Sequence, residues 1–96
     1  MSDERIIILL AMLKNDLGML HTQQDTFLKD LLQLAETYMA DEGIPDIEDN
    51  IRDNGIIVMY AAYLFRKRTK DDNGMPRMLR YALNKRILKK VVVPSV

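Results

Sequence analysis

The first run of apolar residues recurs at helical spacing over residues 3–17 and predicts an amphipathic helix. Ser2 stands at the N-cap position and Gly18 at the position where helices stop. Acidic residues in the first turn suit the helix dipole. One stripe of this helix faces a core and consists of Ile6, Leu9, Leu10, Leu13 and Leu17.

The same helix is apolar on a second side. Ile7, Ile8 and Met12 lie outside the core stripe, so most of the helix circumference is apolar. Leaving such a surface in water is costly for a lone subunit. We therefore expect another molecule to cover this side, which makes these three residues the first interface candidates.

A second helix is predicted between residues 22 and 43. Thr22 and Asp25 have the spacing of a capping box, and Gly43 followed by Pro45 marks the end. Its apolar side recurs at helical spacing, and polar residues fill the opposite side. That apolar side consists of Leu28, Leu31, Leu32, Ala35, Tyr38 and Met39.

Two further helices and a tail complete the predicted fold. Residues 44–55 indicate a polar loop that passes into a third helix somewhere between Asp46 and Asn54. Residues 56–65 are apolar on all sides, which places that helix at the centre, and Met75 and Pro76 open a fourth. The β-branched run after Lys90 predicts an extended tail. The expected fold is all-α, a small bundle of about four helices in one domain (residues 1–90) with an extended C-terminal tail (residues 91–96).

Composition and charge narrow the function classes. The 96 residues include no Cys, which excludes a disulfide framework, a thiolate zinc site and a Cys nucleophile. Residues 1–50 carry eleven acids and three bases, and residues 51–96 carry eleven bases and three acids. These opposite halves can neutralise each other within one subunit or pair between neighbouring copies, and the sequence leaves both open.

No catalytic or metal-binding constellation stands out. His21 is the single His and has no nucleophile at a suggestive spacing, so it is interpreted as a loop residue. The cluster Asp46, Glu48, Asp49 and Asp53 does not fit a calcium loop and is interpreted as a solvated acidic turn. We predict no catalytic, cofactor or metal site, and no enzyme.

No targeting or membrane segment is predicted either. The N-terminus is acidic, and its apolar run lacks a cleavage site for a secretion signal. The longest uncharged apolar stretch, residues 56–65, is much shorter than the roughly 20 residues that cross a bilayer. We expect a soluble protein without a membrane partner.

The basic C-terminal half suggests an alternative to a purely structural role. Clustered Lys and Arg are the electrostatic footprint of phosphate binding, so the alternative is a small helical DNA-binding regulator. On the fourth helix the cations spread around the axis rather than forming one stripe, and few aromatic residues are present for base stacking. This pattern disfavours sequence-specific reading of DNA.

Two segments carry a resemblance to a known family. Residues 58–68 (VMYAAYLFRKR) and 75–86 (MPRMLRYALNKR) resemble the paired signature of phage head-tail connector proteins. The end of the second helix, AETYMADEG at residues 35–43, is similar as well. The likeness spans about residues 5–88, and the matching positions are Arg66, Arg68, Pro76, Leu79 and Leu83.

The resemblance implies a structural virion protein at the head-tail interface, made in the cytoplasm of a bacterial host. Such a subunit forms a homo-oligomeric, dodecameric ring under the portal protein and extends the DNA channel toward further head-completion or tail proteins. DNA passes through the channel without sequence-specific binding. The resemblance implies no enzyme activity and no cofactor.

We expect the charged groups to pair between molecules. The basic candidates, which would pair with acids of a neighbouring subunit or of the portal, are Arg66, Arg68, Arg77 and Arg80. The acidic candidates are Asp41, Glu42, Glu48 and Asp49. The tail candidates, expected to dock on a neighbour as a strand or in a groove, are Val91, Val92 and Val93.

Overall fold

The computed structural model describes residues 1–68 and 74–91, and side chains as far as Lys89. Within these residues the secondary structure consists of four α-helices joined by turns and loops, which confirms the all-α prediction. The helices are α1 (Asp3–Leu17), α2 (Asp25–Asp41), α3 (Ile51–Lys67) and α4 (Arg77–Val91). The last helix ends at Val91, which was predicted to be the first residue of the extended tail. Residues 92–96 of that tail lie outside the described residues.

The predicted caps of α1 are present. The Ser2 side chain accepts a hydrogen bond from the Arg5 N–H at 3.2 Å, which satisfies one free donor of the first turn. At the other end Gly18 adopts a left-handed backbone (φ 70°), and the N–H of Met19 reaches back to the Lys14 carbonyl at 2.9 Å. The chain therefore leaves α1 at the predicted residue, because only glycine adopts this conformation without strain.

The predicted start of α2 was wrong by three residues. Residues 22–25 form a backbone turn in which the Asp25 N–H donates to the Thr22 carbonyl at 3.2 Å. The helix begins at Asp25, and its N-cap Gln24 makes no side-chain capping bond. The Asp25 carboxylate pairs with Lys14 of α1 at 2.8 Å instead of completing a capping box. A contact between helices thus replaces the local contact that the spacing predicted.

The third helix occupies the centre of the bundle. It packs against α1, α2 and α4, as its all-round apolar sequence predicts. Ile57 and Ala61 on α3 are fully buried, and α4 covers the same helix with Leu79 and Leu83. Since α1 and α2 also pack on each other, one continuous core joins the four helices.

Gly55 lies in the second turn of α3, where a Cβ atom would meet no atom of the described residues within 4 Å. Glycine in a helix interior costs about 0.5–1 kcal/mol relative to alanine. We therefore expect Gly55→Ala to raise the free energy of unfolding by about that amount in urea denaturation. Gly18→Ala is the matched control and should lower it, because alanine is strained at positive φ. A less stable Gly55→Ala variant would contradict the prediction.

Candidate interaction surface

One side of α1 is apolar and uncovered. Ile7 and Ile8 are each 59% exposed, and Met12 is 37% exposed. Ile8 and Met12 lie one helical turn apart and therefore form a ridge along the helix. On the opposite side, Leu9 and Leu13 are fully buried in the core. We call Ile7, Ile8, Ala11 and Met12 the α1 face.

Acidic side chains stand at one end of the α1 face. Asp3 and Glu4 in the first turn are exposed, and neither forms an ion pair within the described residues. Their charge complements the positive end of the helix dipole. The α1 face is thus an apolar ridge with free carboxylates at its N-terminal end.

Two of the four predicted basic residues form ion pairs within the subunit. Arg80 of α4 lies 2.7 Å from Glu42, and Arg66 of α3 lies 3.4 Å from Asp16. Arg80 and Glu42 were both predicted to form ion pairs with another molecule. Within the subunit they form an ion pair with each other. This pairing crosses from the acidic half of the sequence to the basic half.

The remaining two arginines differ in their surroundings. The guanidinium of Arg68 lies 4.7 Å from the ring centre of Phe27 and 5.5 Å from that of Phe65, which places it over two aromatic rings. Phe27 belongs to α2 and Phe65 to α3, so the contact links these helices. Arg77, at the start of α4, is exposed.

The other three predicted acids lie in two places. Asp41 is exposed at the end of α2. Arg5 of α1 donates to the Glu48 carbonyl at 2.7 Å and lies 3.6 Å from the Asp49 carboxylate. Asn54 completes the cluster by accepting from Arg5 at 2.7 Å. Glu48 and Asp49 thus help to fix the loop before α3 against α1.

Glu42 also binds a buried tyrosine. The Tyr60 hydroxyl donates to Glu42 Oε2 at 3.1 Å, and Tyr60 is only 6% exposed. Burial, followed by the hydrogen bond to this carboxylate, raises the pKa of Tyr60 to about 12. The hydrogen bond that the Arg80 guanidinium donates to Glu42 in turn raises the pKa of Arg80. These three residues join α4 to the end of α2 through α3.

The raised pKa makes an alkaline titration informative. A phenol whose pKa is raised by folding stabilises the folded state fully below its unfolded pKa, about 10, and this contribution is lost as pH rises toward 12. We expect tyrosinate absorbance to show one transition with a midpoint near pH 12 that is absent from Tyr60→Phe. An unchanged titration curve for that variant would contradict the assignment.

A buried ion pair joins α4 to the start of α3. Asp53 is fully buried and Arg86 is 6% exposed. Arg86 Nε lies 2.8 Å from Asp53 Oδ1, and Arg86 Nη2 lies 3.2 Å from Asp53 Oδ2. The same Nη2 donates to the Asp46 carbonyl at 3.0 Å, and the Glu48 N–H donates to Asp53 Oδ2 at 2.9 Å. The pair therefore holds the loop before α3 as well as both helices.

Hydrogen bonds decide the protonation state of this pair. Burial alone would raise the pKa of Asp53. The hydrogen bonds from Arg86 and from the Glu48 N–H lower this pKa by a larger amount, so it lies below its ordinary value. The hydrogen bond to Asp53 raises the pKa of Arg86. Both groups are charged at neutral pH. Because Asp53 is fully buried, its interpretation as part of a solvated acidic turn was wrong.

An apolar groove of about 810 Å³ lies between α3 and α4. Ile56, Met59, Tyr81 and Leu88 provide its apolar lining, and Gly55 leaves space on the α3 side. Its basic side chains are Arg52, Lys85, Lys89 and the paired Arg86, and none of the described residues that line it carries a carboxylate. We call this feature the α3–α4 groove. It could not be predicted from the sequence, because two helices pack at an angle that the sequence pattern does not specify.

The remaining sequence candidates are a single His, the acidic residues, the apolar helices and the valine tail. His21 is exposed in the loop between α1 and α2. Among the described residues no group of three or more His, Cys, Asp or Glu side chains is placed to hold a metal ion. In the same part of the chain, the helices are too short or too polar to cross a membrane. The tail candidates Val92 and Val93 and the side chain of Val91 lie outside the described residues.

Comparisons with known proteins leave the family open. No protein-family model, curated protein or solved structure significantly matches this chain. The resemblance to head-tail connectors is therefore a hypothesis carried by the residues of the sequence, and the surfaces described above provide the physical basis for a functional proposal.

Proposed function

We propose that this protein is a structural subunit of a phage head-tail connector, which assembles as a ring under the portal and extends the DNA channel toward the tail. The observation that carries the proposal is the α1 face. Two isoleucines that are each 59% exposed lie beside Met12 on a well-defined helix. A contiguous apolar surface of this kind is typical of a protein–protein contact.

The charge distribution supports the same function. Within the subunit, the acidic and basic halves are partly neutralised by pairs such as Arg80 with Glu42 and Arg86 with Asp53. Other charges stay exposed, including Asp3 and Glu4 at one site and Lys85 and Lys89 at another. Complementary charge on different surfaces orients head-to-tail contacts, and such contacts close into a ring when the rotation permits.

The first test is assembly with the portal. The protein is co-expressed with the portal protein encoded in the same phage or prophage genome, and the purified material is examined by native mass spectrometry and electron microscopy. We expect the two to co-purify and to show an additional ring under the portal. A chain that remains monomeric over a range of concentrations and salt, and that fails to join the portal, would contradict the proposal.

The second test separates a connector from a DNA-binding regulator. In a gel-shift titration against mixed duplexes, a connector should show weak binding that is lost as salt rises, since its contacts would be limited to phosphates. Tight, sequence-selective binding at moderate salt would instead support the regulator and contradict the connector.

A further inference from the structure

We propose that the α1 face of one copy docks in the α3–α4 groove of a second copy. This inference rests on the proposed function, because it takes another copy of this chain as the partner. It assigns the two surfaces that meet, and both are described on a single subunit.

The lining of the groove favours an apolar protein segment. Ile56, Met59, Tyr81 and Leu88 present apolar surface, and Tyr81 and Leu88 are 62% and 57% exposed. A nucleic acid backbone would contact the cations and leave this apolar surface unused. A helix with an apolar ridge fills such a groove through side chains spaced three and four residues apart. Ile8 and Met12 have this spacing.

Charge complementarity selects α1 as the occupant. The groove carries Arg52, Lys85 and Lys89, and none of them forms an ion pair within the described residues. The α1 face carries Asp3 and Glu4 at its N-terminal end, also unpaired in this part of the chain. Docking brings these acids near the bases of the groove. Opposite charges at the rim fix the direction in which the ridge enters the groove.

The dimensions of the two surfaces agree. At 1.5 Å per residue, α1 extends about 12 Å from Glu4 to Met12, and the α3 side of the groove extends about 10 Å from Arg52 to Met59. Gly55 lies within that stretch, and in the part of the chain that the structure describes no atom lies within 4 Å of where its Cβ would be. A helical glycine beside an open groove permits close approach by a partner's side chain, which offsets its cost to helix stability.

The docked surfaces differ from each other, so each copy offers one ridge and one groove. This arrangement predicts complementation between two variants. Ile8→Asp damages the ridge and keeps the groove, whereas Gly55→Trp fills the groove and keeps the ridge. Each variant alone should fail to associate through this contact, and an equimolar mixture should recover a single intact contact.

The decisive experiment is cross-linking between copies. Because the chain has no cysteine, each introduced thiol is unique. An Ile8→Cys protein is mixed with a Gly55→Cys protein and treated with a short bismaleimide, and cross-linked heterodimer is measured by mass spectrometry. The control replaces Ile8→Cys with Leu20→Cys, whose native side chain is 95% exposed in the loop after α1. A specific apolar contact should raise the heterodimer yield of the Ile8→Cys and Gly55→Cys mixture about ten-fold or more over the control.

The outcomes separate this inference from the proposed function. Equal yields for Leu20→Cys and Ile8→Cys would overturn the proposed pairing, as would loss of the cross-link on addition of duplex DNA at moderate salt. If the portal still co-purifies in that case, the connector function stands and the surfaces are wrong. A specific cross-link in a protein that never joins the portal would support the pairing and contradict the function.

Discussion

Replacing Arg86 with methionine should destabilise the subunit by about 3–5 kcal/mol, the usual cost of leaving one member of a buried ion pair uncompensated. The Asp53 carboxylate is fully buried and would lose its charge partner. The loop before α3 would also lose the bond from Arg86 to the Asp46 carbonyl. A domain of this size has a total stability of about 5–15 kcal/mol, so the loss would be evident in urea denaturation at neutral pH.

The matched control is Arg80→Met on the same helix. Arg80 also forms a close carboxylate pair, but its side chain is 44% exposed, so the change should cost at most about 1 kcal/mol. A double-mutant cycle with Asp53→Asn should show strong coupling to Arg86→Met, because each change removes the same contact. Equal effects of Arg86→Met and Arg80→Met would show that the buried pair is not a main source of stability.

The same pair predicts a pH dependence. Because folding lowers the pKa of Asp53, its contribution is fully present above the unfolded pKa of about 4 and is lost as pH falls through the folded pKa. The stability difference between the wild-type protein and Asp53→Asn should therefore shrink below about pH 4. A difference that stayed constant into the acid range would contradict the assigned charge state.

Two adjacent residues of α1 should respond very differently to truncation. Leu9 is fully buried, and Leu9→Ala should cost about 3–5 kcal/mol through lost transfer energy and the cavity left behind. Ile8 is 59% exposed, and Ile8→Ala should change stability by no more than about 0.5 kcal/mol. Urea denaturation of both variants at a protein concentration where the chain is monomeric checks this. A large loss for Ile8→Ala would mean that the α1 face is covered within the subunit.

Local chemistry explains why much of the fold could be predicted. Ser2 and Gly18 mark both ends of α1 by capping rules that depend on a few neighbouring residues, and the structure has the helix between them. The all-round apolar sequence of residues 56–65 similarly places α3 at the centre. The predicted start of α2 at Thr22 was wrong, because Asp25 forms an ion pair with Lys14 of α1 instead of a capping box with Thr22.

Features within one helix could be predicted from the sequence, whereas contacts between distant helices could not. Ile7 and Ile8 could be identified from the sequence as exposed apolar residues because they lie outside the core stripe of their own helix. The Asp53–Arg86 pair joins residues separated by 33 positions, and the pattern offered no reason to match these two among many acids and bases. The α3–α4 groove likewise depends on the packing of α3 against α4, which periodicity within one helix does not determine.

Oxidative footprinting can show whether the α1 face is a contact surface between proteins. Hydroxyl radicals are applied to the free chain and to its complex with the portal, and side-chain labelling is measured by mass spectrometry. Leu20 and Leu9, which are 95% and 0% exposed, provide the exposed and buried references. We predict that Ile7 and Ile8 are labelled in the free chain and protected in the complex, while Leu20 is labelled in both. Equal labelling of the α1 face in both samples would show that this face is not a contact surface with the portal or with neighbouring copies.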